Sequence, residues 1–126
     1  MEIPEELQYT KDHEWIKIDR NIATIGITDF AQSELGDIVY VDIETVDETI
    51  EGGEVFGSIE AVKTVSDLFM PITGTVTEVN EIVEDAPEKV NGDPYGDGWL
   101  VRIKLADDVD TDDLMTASAY RELVGY

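Results

Sequence analysis

Two runs rich in β-branched and aromatic residues, Val55-Phe56-Gly57-Ser58-Ile59-Glu60 and Val65-Ser66-Asp67-Leu68-Phe69-Met70, lie either side of the short centre Ala61-Val62-Lys63-Thr64. That order reads as a β-hairpin whose turn falls near Val62 and Lys63. Lys63 is the only lysine between Lys17 and Lys89, so the hairpin tip carries the sole ammonium of the central half of the chain. A lysine there has two readings. It is a solvated turn residue with no further role, which is the commoner case, or it is an amine held out for modification.

The remaining segments follow the same short-strand pattern. Trp15-Ile16-Lys17-Ile18, the polar triplet Asp19-Arg20-Asn21 and Ile22-Ala23-Thr24-Ile25-Gly26-Ile27 read as strand, turn and strand. Thr28-Asp29 is placed to cap a short helix that Gly36 closes, with Phe30, Ala31 and Leu35 toward the sheet. Asp37 to Ile43 is a strand, Thr45 to Gly53 an acidic connection ending in a Gly-Gly turn, and Gly74 to Asn80 a half-buried strand. Glu81 to Val90 forms short helical turns around Pro87, Gly92 to Gly96 is a turn, and Trp99 to Leu105 returns as a strand. A last helix is expected from about Asp112 to Val124, with Met115, Ala119 and Leu123 as its apolar face. Residues Met1 to Leu7 are expected to be a loosely held lead-in. The total is a mostly β chain with a few short helices and too few long ones for an alternating α/β fold.

At 126 residues the chain fits one domain, 1–126, large enough for a real core. With no cysteine and one histidine, disulfides, a cysteine nucleophile and the usual zinc sites fall away. The acidic start Met1-Glu2-Ile3-Pro4-Glu5-Glu6 resembles neither a secretory signal nor a transit peptide. No apolar run approaches the roughly 20 residues that span a bilayer, so the expected setting is soluble and cytoplasmic. Eight Lys plus Arg stand against thirty Asp plus Glu, a formal net charge of -22, which repels nucleic acid and anionic membranes alike. Solubility accounts for such a charge. Adaptation to high salt is the sharper hypothesis, because salt screens the self-repulsion.

Glu60-Ala61-Val62-Lys63-Thr64, followed by Ser66-Asp67, Pro71 and Gly74, resembles the lipoyl-lysine hairpin of the glycine cleavage system H proteins. The usual motif of that family has serine and alanine where this chain has Ala61 and Thr64, and both departures leave the acceptor lysine in place. His13-Glu14-Trp15, Gly26-Ile27-Thr28-Asp29-Phe30-Ala31-Gln32 with Leu35-Gly36-Asp37-Ile38-Val39, and Asn91-Gly92-Asp93-Pro94-Tyr95-Gly96-Asp97-Gly98-Trp99-Leu100 are similar to further H-protein segments. They occur in the family's order and span nearly the whole chain. The resemblance implies a sandwich of two small antiparallel sheets, a lipoyl/biotinyl-domain-like barrel-sandwich hybrid with a C-terminal helix. It also implies lipoic acid on Lys63 and a monomeric carrier that is not itself an enzyme. In the family the arm accepts an aminomethyl group as a pyridoxal-phosphate glycine decarboxylase works, and a tetrahydrofolate-dependent aminomethyltransferase takes the one-carbon unit and releases ammonia. Dihydrolipoamide dehydrogenase then reoxidises the dithiol.

An aminomethylated arm ends in an amine that a cleft carboxylate can hold by charge-assisted hydrogen bonds. Glu14 and Asp67 are the candidates, the second lying four residues past Lys63. Glu60 and Asp67 flank the turn and are candidates for contact with the lipoylating enzymes. The competing reading for all three is ordinary surface charge. His13 is expected to be structural beside Trp15, since no nucleophile accompanies it. Trp15, Trp99, Tyr40 and Phe69 are expected in the core. The glycine pairs match no phosphate loop. Other swinging-arm carriers stay open as alternatives: a lipoate relay, a 2-oxoacid dehydrogenase lipoyl domain, or a biotin carrier, although no methionine flanks Lys63 as biotin attachment would lead one to expect. An unmodified acidic interaction module is the third class.

Overall fold

Isoleucine and valine at alternate positions determine where the strands lie and which face they bury. In the computed structural model, which describes residues 1–125, six strands form one antiparallel sheet: β1 (Gln8–Tyr9), β2 (Glu14–Asp19), β3 (Ile22–Ile27), β9 (Val101–Leu105), β8 (Gly74–Val79) and β5 (Thr49–Ile50), in that spatial order. Register aligns Ile16, Ile25, Val101 and Val79 across four strands, with Ile18, Ala23, Ile103 and Val76 in the next row. Each isoleucine or valine fully buried this way contributes about 1.5–3 kcal/mol. A second sheet of β4 (Ile38–Asp42), β6 (Val55–Ala61) and β7 (Val65–Phe69) lays Ile38, Val41, Ile59 and Leu68 against the first. Among the described residues the result is a two-layer sandwich with open edges and no closed barrel, as the expected sandwich of two antiparallel sheets requires.

Short helices fill the ends. Helix α1 (Asp29–Leu35) starts at Thr28, whose hydroxyl accepts from Ala31 N, and stops at Gly36, as the sequence predicts. Its Ala31 and Leu35 pack on the core, while Phe30 stacks on His13 at 4.8 Å. Helices α2 (Glu81–Asp85) and α3 (Lys89–Gly92) flank Pro87. None of the helices among the described residues is long and apolar enough to cross a membrane.

Four expectations need correction. The last helix, α4 (Ala117–Val124), begins about five residues later than its acidic lead-in suggests, because the cap is the Thr116 hydroxyl, which accepts from Ala119 N. Its buried face is Ala117 and Tyr120 rather than Met115, Ala119 and Leu123. Met115 instead exchanges backbone hydrogen bonds with Tyr9. The lead-in is not loose: Ile3 and Leu7 are buried with Tyr9, Trp15 and Tyr120 in a second apolar cluster. The Tyr9 and Tyr95 hydroxyls donate to Pro4 O and Glu2 O, and Arg121 donates to Ile3 O. The acidic connection holds β5, which pairs with β8 through Thr49–Thr75 and Ile50–Gly74. Finally, of the four aromatics expected in the core only Trp15 is fully buried; Tyr40 is exposed, and Trp99 and Phe69 are half-buried. Trp99 carries the Arg102 guanidinium 4.1 Å above its ring.

Candidate functional site: a lysine held out on a hairpin

Strands β6 and β7 close over Val62 and Lys63, with Ala61 N donating to Thr64 O at 2.8 Å. The Val62 N–H reaches across to Asp37 O at 3.0 Å, so the tip is tied to the start of β4. The lysine stem passes over Gly36. A Cβ built there would lie 3.4 Å from Lys63 Cε, and Gly36 has φ +79°, a conformation that favours glycine. Asn91 fixes that floor: Nδ2 donates to Gly36 O (2.8 Å) and Gln32 Oε1 (3.0 Å), while Oδ1 accepts from Ile38 N (2.9 Å). Lys63 itself is exposed, and neither ion pair among the described residues, Arg102–Glu78 and Arg121–Glu5, involves it.

Glu14 lies inside the protein at 2 % exposure. Strand β7 is an edge of its sheet, and an edge leaves N–H groups unpaired. Glu14 Oε2 accepts from the Phe69 N–H at 2.7 Å and so joins β2 of one sheet to β7 of the other. Oε1 accepts weakly from the Thr10 hydroxyl at 3.4 Å. Burial pushes the Glu14 carboxyl up to about 8, with the Phe69 hydrogen bond opposing and the nearby Asp12 charge assisting. Asp67 is exposed two residues along β7 from that contact, and no side-chain hydrogen bond among the described residues engages its carboxylate. Glu60 is also exposed, paired in register with Tyr40 on one side and Val65 on the other. The structure therefore brings Glu14 to the same strand as Asp67, and sets Glu60 beside the tip. An open groove of about 870 Å³, lined in part by Thr10, Asp12, Met70 and Asp110, includes none of these four residues.

His13 adopts φ 67° and pairs its Nδ1 with the Tyr120 hydroxyl at 2.9 Å. The same hydroxyl lies 2.7 Å from Thr28 Oγ1. One assignment satisfies every group: Tyr120 donates to a neutral His13, and Thr28 donates to Tyr120 while its other lone pair caps α1. Burial lowers the His13 imidazole from its ordinary value, which agrees with the neutral form. Trp15 Nε1 donates to Pro94 O at 3.0 Å, and its indole covers Gly26, where a Cβ would lie 2.6 Å from Nε1. The separate sequence segments thus meet through His13, Trp15, Thr28 and Pro94. Gly36 reads in the sequence as a helix stop, and Gly36 and Asn91 otherwise only as members of segments similar to H proteins. Their joint service under Lys63 depends on long-range contacts that spacing does not reveal.

A two-sheet β-sandwich that holds a lysine out on a pinned hairpin, with helical turns at its ends, defines a class of small carrier domains. A family model described as glycine cleavage H-protein matches residues 7–125. A glycine cleavage system H protein of Bacteroides thetaiotaomicron is 56% identical over 124 residues, covering 98% of both chains, and one of Bacteroides fragilis is 53% identical with the same coverage. The crystal structure of a glycine cleavage system H protein from Mycobacterium marinum superposes with TM-score 0.91 at 40% identity, covering 98% of this chain and 100% of that one. The chain belongs to the glycine cleavage H-protein family. Members are carrier components of the glycine cleavage system and are not themselves enzymes.

Proposed function

We propose that residues 1–126 act as one monomeric, cytoplasmic lipoyl shuttle of glycine cleavage, with lipoate amide-linked to Lys63. The observation that carries this is the tip: an exposed amine outside both ion pairs of the described residues, on a turn whose backbone is anchored at both Thr64 and Asp37. These residues fit an acylated lysine, because amide formation removes a charge that no partner needs, and a rigid presenter leaves the arm alone to move. Lipoate held by the Lys63 amide would supply a dithiolane able to carry the aminomethyl carbon between the decarboxylase and the aminomethyltransferase, with dihydrolipoamide dehydrogenase as the oxidant of the dithiol.

The chain's own carboxylates then have distinct tasks. Asp67, on the solvent side of β7, receives a cationic amine, and Glu14, shielded at the strand's edge, holds it out of water by a charge-assisted hydrogen bond. Glu60 and Asp67 serve earlier, as contacts for the lipoylating enzymes. Intact mass after expression with lipoate tests attachment, and glycine–bicarbonate exchange with the decarboxylase tests the shuttle. We expect both to be lost in Lys63→Arg. An unshifted mass in the wild-type chain sinks the reading. Glu14→Ala with Asp67→Ala should speed ammonia release from the loaded protein, and Glu60→Ala should slow lipoylation without lowering stability.

A further inference from the structure

We infer that the outer face of the three-stranded sheet around Lys63 is the docking surface for the enzyme that acylates this lysine, with Tyr40, Val62 and Val65 as its exposed apolar contacts and Glu60, Asp42 and Asp67 as its acidic ones. The inference rests on the reading of Lys63 as an acylated residue and deepens it by naming the surface and the partner's chemistry. Register places Tyr40 opposite Glu60 and Glu60 opposite Val65, so these three side chains form one row across β4, β6 and β7. Directly opposed positions lie about 4.5–5.5 Å apart. Tyr40 is 54 %, Val65 61 % and Val62 74 % exposed. Single exposed apolar residues are ordinary, but here Tyr40 and Val65 flank Glu60 on the face whose tip carries Val62 and Lys63. The next row, Asp42–Ser58–Asp67, is acidic.

Reach decides which partner needs this face. Enzymes that act on a finished arm can meet its far end once it has swung clear of the sheet. The acylating enzyme meets bare lysine and has only one side chain's length with which to bring an activated acyl carbon to Nζ, so its surface must touch the tip. There the N–C bond forms, the bond from the carbonyl to its leaving group breaks, and the nitrogen's proton goes to water. Charge fixes the complement: Glu60 lies between Tyr40 and Val65, Asp42 and Asp67 lie in the next row, and Lys63 is the only cation on β4, β6, β7 or the tip of a chain of net charge -22. The partner's channel mouth therefore presents Lys or Arg to Glu60, Asp42 and Asp67, with apolar contacts for Tyr40 and Val65 beside them.

The test is steady-state acylation of the full chain by a purified lipoate–protein ligase with lipoate and ATP, using wild type, Tyr40→Ala and the near-isosteric Val65→Thr, whose unfolding is checked in parallel. We expect KM for the protein to rise roughly fivefold or more in each variant with kcat unchanged, and wild-type KM to climb with KCl. Dihydrolipoamide dehydrogenase should turn over the fully lipoylated variants at the wild-type rate. Unchanged KM in folded variants, with wild type modified at Lys63, overturns the docking face and leaves the acyl-lysine intact. A wild-type chain that gains no lipoyl mass overturns both.

Discussion

At the scale of single residues, Glu14 shows how burial sets the protonation of a carboxyl. It accepts the Phe69 N–H yet carries no cationic partner, and burial holds its proton on up to about pH 8. The folded-state value is raised above the unfolded one, so the folded protein binds the extra proton between the ordinary carboxyl range and about 8. Glu14's contribution is then fully present below the ordinary carboxyl value and is lost as pH rises through about 8. Glu14→Gln keeps an acceptor for Phe69 and removes the titration. Urea unfolding of the variant and wild type should agree near pH 4.5 and diverge on the alkaline side, with the variant more stable at pH 9 by up to about 5 kcal/mol. Equal stability at both pH values would show that folding does not raise the Glu14 carboxyl above its ordinary value. The same shift predicts that an ammonium docking beside Glu14 near pH 7 displaces a proton, so uptake of the amine should release about one proton, measurable in weakly buffered solution. The sequence motif His13-Glu14-Trp15 identified this residue through family resemblance. Its burial against an edge strand 55 positions away had no local signal.

Elements whose ends are fixed by local chemistry were legible, and those fixed by distant partners were not. Thr28 and Gly36 bound α1, and Asp19-Arg20-Asn21 turns β2 into β3, because capping and turn residues act within a few positions. Helix α4 shows the opposite. Asp107 to Asp113 looks like a helix start, but Met115 is drawn into pairing with Tyr9, and the helix begins only at the Thr116 cap. Its orientation follows Tyr120, which stacks on Tyr9 at 4.7 Å and inserts its hydroxyl between His13 and Thr28. A phenol facing inward breaks a reading based on aliphatic spacing alone. Likewise β1 and β5, two residues each, exist through their partners and leave almost no periodic trace. The hairpin tip was legible for the first reason and its floor, Gly36 with Asn91, opaque for the second. Tyr120→Phe should leave the stack intact but strand His13 Nδ1 and the Thr28 hydroxyl without their partner, costing about 1–3 kcal/mol. Hydrogen exchange should show the loss first in α4 amides and in the Thr10 to Glu14 loop. A change confined to α4 would mean that the helix is not what holds that loop.

For the whole molecule the governing quantity is the charge of -22. Two ion pairs, Arg102–Glu78 and Arg121–Glu5, are found among the described residues, and both involve exposed partners on one side, so local pairing offsets little of it. The folded state therefore carries a repulsion that a more expanded chain relieves. Screening shortens its range from about 10 Å at 0.1 M salt to about 3 Å at 1 M. We expect Tm to rise by several degrees between low and molar KCl, since each kcal/mol recovered is worth about 4 °C in a chain of this size. Salt also strengthens apolar burial, so the slope alone does not identify the cause. Asp107→Asn, Asp108→Asn and Asp110→Asn together remove three exposed charges, while the amide oxygen introduced by the last of them keeps an acceptor for the Asp112 N–H. If self-repulsion is the cause, the triple variant gains stability at low salt and loses part of the KCl response, whereas apolar salting-out would leave the slope as in wild type. Docking responds with the opposite sign, because the same screening that relaxes the carrier weakens its attraction to a cationic channel mouth. A carrier of this charge must then work in a salt range bounded below by its own repulsion and above by the loss of its partners; the KCl dependence of Tm sets the lower bound and that of KM the upper.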